Sequence, residues 1–202
     1  MNTFLALGDS YTIGEGVAPG ERWPVQLAAR LRGEGVAVAD PQIVATTGWT
    51  TDELLLAMET ATFTPPYALV TLLIGVNDQY REHGMDQYRA QFRDLLRRAI
   101  RLAAGNPAHV IVVSIPDWGV TPFAAREGRN VERVAREIDA FNAIASAATA
   151  SVGAAWVDVT AISRQPESRD EWVGDGLHPS GMQYARWTET ILPVATTILA
   201  GD

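Results

Sequence analysis

Ala68-Leu69-Val70-Thr71-Leu72-Leu73-Ile74 runs without a charge into Gly75-Val76-Asn77-Asp78. A run this apolar, stopped by glycine and turn residues, suits a strand buried on both faces, as strands of parallel sheets are. Working outward, similar short runs occur at Phe4 to Leu7, Val110 to Ile115 and Ala154 to Val159, with a weaker one at Gln42 to Ala45. Longer stretches with apolar groups at helical spacing lie between and beyond them. Trp23 to Leu31 is one, and Asp86 to Ala104 is another, striped by Tyr88, Phe92, Leu95, Leu96, Ala99 and Ile100. Glu132 to Thr149 follows, with Val134, Ile138, Phe141, Ile144 and Ala145. A last helix is expected from about Ser180 to Leu199, kinked or divided at Pro193. Strands alternating with helices predict an α/β chain whose parallel sheet is covered on both faces.

At 202 residues and 47% hydrophobic content, the chain is long enough for one good core, and no repeat or Pro/Gly/Ser-rich linker divides it. The expectation is a single domain over residues 1–202. No apolar run approaches the roughly 18 residues that would span a bilayer. Sixteen Lys plus Arg against 24 Asp plus Glu leave a net charge of -8, which disfavours nucleic acid as a partner. With no cysteine, thiolate metal sites, disulfides and Cys nucleophiles are excluded. Met1-Asn2-Thr3 enters Phe4-Leu5-Ala6-Leu7 without the basic and small-residue features of a signal peptide, so a cytoplasmic location is expected.

Polar residues gather where the strands end, the edge at which open α/β sheets bind ligands. The first strand ends in Gly8-Asp9-Ser10-Tyr11, which presents a serine hydroxyl and its own N–H at the C-terminal edge of the sheet. The same residues also read as a helix cap. Asn77, after the third strand, offers a neutral amide donor of the kind an oxyanion hole requires, and Asn-Asp is equally good turn chemistry. Gly174-Asp175-Gly176-Leu177-His178-Pro179-Ser180 places an aspartate three residues before a histidine. Folded back, Asp175 would accept from Nδ1–H of His178 and leave Nε2 facing outward, or Asp175 and Ser180 would cap the last helix. In Thr47-Gly48-Trp49-Thr50 the glycine either lets a backbone N–H approach a developing oxyanion or serves as a plain loop residue.

The four segments in this order resemble the SGNH hydrolase (GDSL-type esterase/lipase) family through Gly8-Asp9-Ser10-Tyr11, Gly48, Gly75-Val76-Asn77-Asp78 and Asp175-Gly176-Leu177-His178. Tyr11 stands where many members have leucine. The resemblance implies a three-layer, flavodoxin-like, doubly wound sheet of five parallel strands in the order 2-1-3-4-5. It implies Ser10 as nucleophile, His178 as general base oriented by Asp175, and an oxyanion hole of the Ser10 and Gly48 N–H groups with the Asn77 side chain. The substrate would be a small-molecule carboxylic ester, short-chain acyl or acetyl, and neither metal nor organic cofactor is required. A lysophospholipase or thioesterase is the alternative within that class. Outside it stands a non-catalytic, flavodoxin-like binding module.

Among the remaining residues, His83 and His109 lack metal-ligand spacing, and Asp117 in Pro116-Asp117-Trp118-Gly119 reads as turn chemistry. Trp49, Tyr80, Trp118, Phe123 and Trp172 fall in loops facing the crevice, interleaved with Arg81, Arg126, Arg129, Arg164 and Arg169. Packing aromatics and solvated arginines account for these as readily as ligand contacts do.

Overall fold

The computed structural model describes residues 1–165 and 171–200. Five strands, β1 Phe4–Gly8, β2 Gln42–Ala45, β3 Leu69–Leu73, β4 Val110–Val113 and β5 Ala155–Val157, form one sheet in the order β2-β1-β3-β4-β5. Every pairing is parallel, with Leu7 opposite Val44 on one side and Leu72 on the other. All residues of β1, β3 and β4 are buried, and apart from Thr71 in β3 no polar side chain interrupts them, so the strands do not alternate.

Helices cover both faces. On one, α2 (Trp23–Gly33) packs along α9 (Gly181–Ala200), with Trp23 and Trp187 fully buried. On the other, α3 (Thr51–Thr60), α5 (Met85–Leu102) and α7 (Val131–Val152) lie side by side. The stripe read from the sequence is the buried face of α5: Tyr88, Phe92, Leu95, Leu96 and Ala99 are all buried, with Ile100 partly so. Fully burying a side chain the size of Phe92, Leu95 or Leu96 contributes roughly 1.5–3 kcal/mol, which holds this helix to β3. Four short helices sit at the strand ends: α1 (Ser10–Ile13), α4 (Val76–Tyr80), α6 (Pro122–Arg126) and α8 (Thr160–Ser163).

Several expected boundaries move. β4 and β5 are shorter than the apolar runs that announce them because side chains capture the backbone at their ends. The Asn142 amide accepts from Ile115 N–H at 2.8 Å and donates to Ile115 C=O at 3.0 Å. Ser114 Oγ accepts from Val159 N–H at 2.8 Å, and Asp158 Oδ1 accepts from Thr160 N–H at 2.8 Å. Pro193 does not divide the last helix. The proline is exposed, and the carbonyl it leaves without a donor belongs to exposed Glu189, where water can serve. Arg169, one of the loop arginines, lies outside the described residues. No helix among the described residues is long and apolar enough to cross a membrane.

Candidate active site

The end of β1 fixes Ser10. A Cβ on Gly8 would lie 2.2 Å from Thr12 Oγ1 and 2.5 Å from Leu73 O, so only glycine lets the chain turn from strand to helix this tightly. Asp9 caps α1, its Oδ1 accepting from Tyr11 N–H at 3.0 Å, and Ser10 is the first helical residue. An N–H in the first turn has no partner inside the helix, and that of Ser10 has no acceptor among the described residues. Asp9 itself is fully buried. Burial pushes its carboxyl up to about 8, the hydrogen bond from Tyr11 N–H opposes this, and the nearby Asp78 charge adds to it.

The β2 and β3 ends supply two further groups. Gly48 sits at φ 89°, a left-handed conformation that favours glycine, and its N–H likewise has no acceptor among the described residues. Asn77 lies in the first turn of α4, and its Nδ2 donates to Trp49 O at 2.8 Å. An amide carries two hydrogens, so this bond leaves one free.

On the segment before α9, the Asp175 carboxylate wraps its own turn. Oδ1 accepts from Leu177 N–H at 2.7 Å and His178 N–H at 3.0 Å, while Oδ2 lies 2.6 Å from His178 Nδ1. Burial pushes Asp175 up, but the bonds from the His178 ring and the two N–H groups outweigh it and hold the carboxyl below its ordinary value. With Nδ1 turned to a carboxylate, Nε2 is the nitrogen left for chemistry. Tyr11 packs edge-on against the His178 ring, with centroids 5.8 Å apart, and so restrains the imidazole plane.

Ser10, Gly48, Asn77 and His178 line one cavity of about 210 Å³, and Asp175 stands behind the histidine. Tyr11, Thr47, Val76, Tyr80, Trp118, Phe123 and Leu177 complete a largely apolar wall. Of the loop aromatics, Tyr80, Trp118 and Phe123 thus face the cavity, whereas Trp49 packs against the core and Trp172 lies elsewhere. Arg129 stacks over Tyr80 and Trp118, at 5.2 and 5.7 Å from their centroids. Arg164 pairs with buried Asp117 at 2.8 Å, which accounts for that aspartate structurally.

Sequence reasoning missed two arginine contacts with the site's backbone. Arg126 donates to Asp175 O at 2.6 Å, and Arg81 donates to Gly48 O at 2.6 Å. The four-residue spacing of Asn77 and Arg81 is visible in the sequence, but it does not say which carbonyl Arg81 reaches. It also missed that Asp52, Asp78 and His83 bring one potential metal-ligand atom each within 4.8 Å of one another. Asp78 is already engaged there, accepting from Thr51 N–H at 3.0 Å and Thr51 Oγ1 at 2.7 Å.

A buried serine at a helix start, an aspartate-bound histidine and N–H donors without acceptors among the described residues thus gather around one cavity at the strand ends of a doubly wound sheet. The profile of the GDSL-like Lipase/Acylhydrolase family matches residues 6–186, and the chain belongs to that family. It is therefore a serine ester hydrolase, which sets aside the non-catalytic binding module. No curated protein matches the sequence. Among solved structures it is similar to TesA, at 21% identity and a TM-score of 0.73 over 98% of this chain and 99% of that one. A lipase/acylhydrolase from Enterococcus faecalis shares 22% identity, with a TM-score of 0.75 over 98% and 96% of the two chains. An acetyl xylan esterase from Geobacillus stearothermophilus shares 18%, with a TM-score of 0.72 over 96% and 94%.

Proposed function

We propose that this hydrolase cleaves short-chain acyl esters, acetyl esters foremost, through an acyl-enzyme on Ser10. The observation that carries the reading is the convergence of Ser10, Gly48, Asn77 and His178 on one cavity, with Asp175 Oδ2 2.6 Å from His178 Nδ1. In the first half-reaction His178 takes the Ser10 proton as Oγ adds to the ester carbonyl. The tetrahedral oxyanion accepts from the Ser10 and Gly48 N–H groups and the free hydrogen of the Asn77 amide. Collapse expels the alcohol, which receives the proton from His178. Water then repeats the sequence on the acyl-enzyme, releasing the acid and restoring Ser10. Asp175 keeps the imidazole in the tautomer that exposes Nε2 and stabilises it when protonated.

Cavity size argues for a small acyl group. About 210 Å³ lies below the roughly 300–1,000 Å³ of pockets that enclose drug-sized ligands, and the bulky rings of Trp118 and Phe123 are part of its wall. An acetyl xylan esterase is among the proteins that share the fold.

The test is hydrolysis of p-nitrophenyl acetate, butyrate and octanoate by the wild type and Ser10→Ala. Acetate and butyrate should turn over far faster than octanoate, and the variant should lose on the order of 10⁶ in kcat. Comparable turnover by Ser10→Ala would overturn the mechanism, and preference for octanoate would overturn the substrate class.

A further inference from the structure

The loop from β2 to α3 carries Gly48 in a left-handed conformation, with exposed Thr46 and Thr47 before it. A backbone donor in such a loop is useful only if something outside fixes the peptide planes around it, since glycine resists few rotations. Helix α4 supplies two holds. Arg81 caps the C-terminus of α4, four residues after Asn77, and its N–H bonds to Asn77 O at 2.9 Å, which brings the two side chains to the same side. Asn77 Nδ2 takes the Trp49 carbonyl at 2.8 Å, and Arg81 Nη2 takes the neighbouring Gly48 carbonyl at 2.6 Å.

Arg81 is held in turn. Its Nη1 lies 3.3 Å from Glu53 Oε2, and the same oxygen accepts from Thr50 N–H at 2.9 Å as part of the capping box that starts α3. Hydrogen bonds from Thr50, with the Arg81 charge beyond them, keep the Glu53 carboxyl below its ordinary value, so it stays ionised where a histidine base works. The guanidinium fork therefore spans the Gly48 carbonyl and a fixed carboxylate. A lysine ammonium cannot match that two-pronged geometry.

We propose that Arg81 is a positioning residue of the oxyanion hole: by locking the Gly48 carbonyl it fixes the Gly48–Trp49 peptide, the plane next after the one that carries the Gly48 N–H, and so limits how far that N–H can swing from the reacting ester. The inference rests on the acyl-enzyme reading above. Arg81 touches no reacting atom, and its effect is confined to the transition state, where the Gly48 bond strengthens. A displacement of about 1 Å at such a donor costs on the order of 10²-fold in rate.

The experiment compares wild type, Arg81→Ala, Arg81→Lys and Ser10→Ala on p-nitrophenyl acetate, with a boronic acid as tetrahedral mimic and urea unfolding as the check on folding. Arg81 is 45% exposed in its side chain, so the folds should survive. Arg81→Ala should lose about 10- to 100-fold in kcat with KM within about twofold, and weaken boronate binding by a similar factor. Arg81→Lys should fall between it and the wild type, and millimolar guanidinium should restore part of the Arg81→Ala rate. Unchanged kcat in a folded Arg81→Ala, or a rise in KM alone, would overturn the proposal. Should Arg81→Ala unfold, Glu53→Gln replaces it: a smaller fall in kcat at constant KM supports the proposal, and wild-type kcat refutes it. An inactive Ser10→Ala beside an unimpaired Arg81→Ala removes only this inference, whereas an active Ser10→Ala removes the acyl-enzyme reading itself.

Discussion

Replacing Asp9 by asparagine should make the protein relatively more stable as the pH rises. Asp9 is fully buried at the end of β1, its Oδ1 accepts from Tyr11 N–H, and its Oδ2 has no partner among the described residues. Burial pushes the carboxyl up to about 8, against about 3.9 in an unfolded chain. Between these values the folded state holds a proton that the unfolded state has released, so stability declines with rising pH by up to about 1.4 kcal/mol per unit. From about pH 5.5 to about pH 7.5 this amounts to roughly 2–3 kcal/mol. The substituted amide would keep the Tyr11 bond and carry no titrating proton. Urea unfolding at matched m-values should therefore show the gap between Asp9→Asn and wild type shifting toward the variant by that amount. A gap independent of pH would refute the reasoning.

Trp118→Ala should open the cavity wall, raising kcat/KM for p-nitrophenyl octanoate relative to acetate by about tenfold or more, since each buried methylene is worth about 0.8 kcal/mol; an unchanged chain-length profile would place the acyl group elsewhere. Gly8→Ala forces a Cβ to within 2.5 Å of the Leu73 carbonyl, an overpacking cost of about 3 kcal/mol or more, visible as a lower urea midpoint. A variant with wild-type stability would mean that the β1–α1 turn is looser than described.

The strands were legible because burial on both faces leaves a nearly continuous apolar signature, as Phe4–Leu7 and Leu69–Leu73 show, the latter broken only by Thr71. Their order came from family resemblance, and the sheet has that order. Helix α3 went unread although Thr50 and Glu53 spell its capping box, while α1 and α4, at four and five residues, are too short for periodicity to register. Boundaries set from afar were invisible: Asn142 ends β4 from 27 residues away. At the site, the local spacing of Asp175 and His178 allowed either their pairing or a helix cap, and the 2.6 Å contact is the pairing. The grips of Arg81 on Gly48 and Arg126 on Asp175 span 33 and 49 residues, and no linear pattern announces which carbonyl an arginine will find.

The central claim is that Ser10 becomes acylated. Enzyme mixed with p-nitrophenyl acetate, quenched in acid during turnover and digested should yield the peptide containing Ser10 with one added acetyl group, and Ser10→Ala should yield none. Acetylation at another residue that kinetics show to lie on the turnover path, or turnover that persists in Ser10→Ala, would contradict the account.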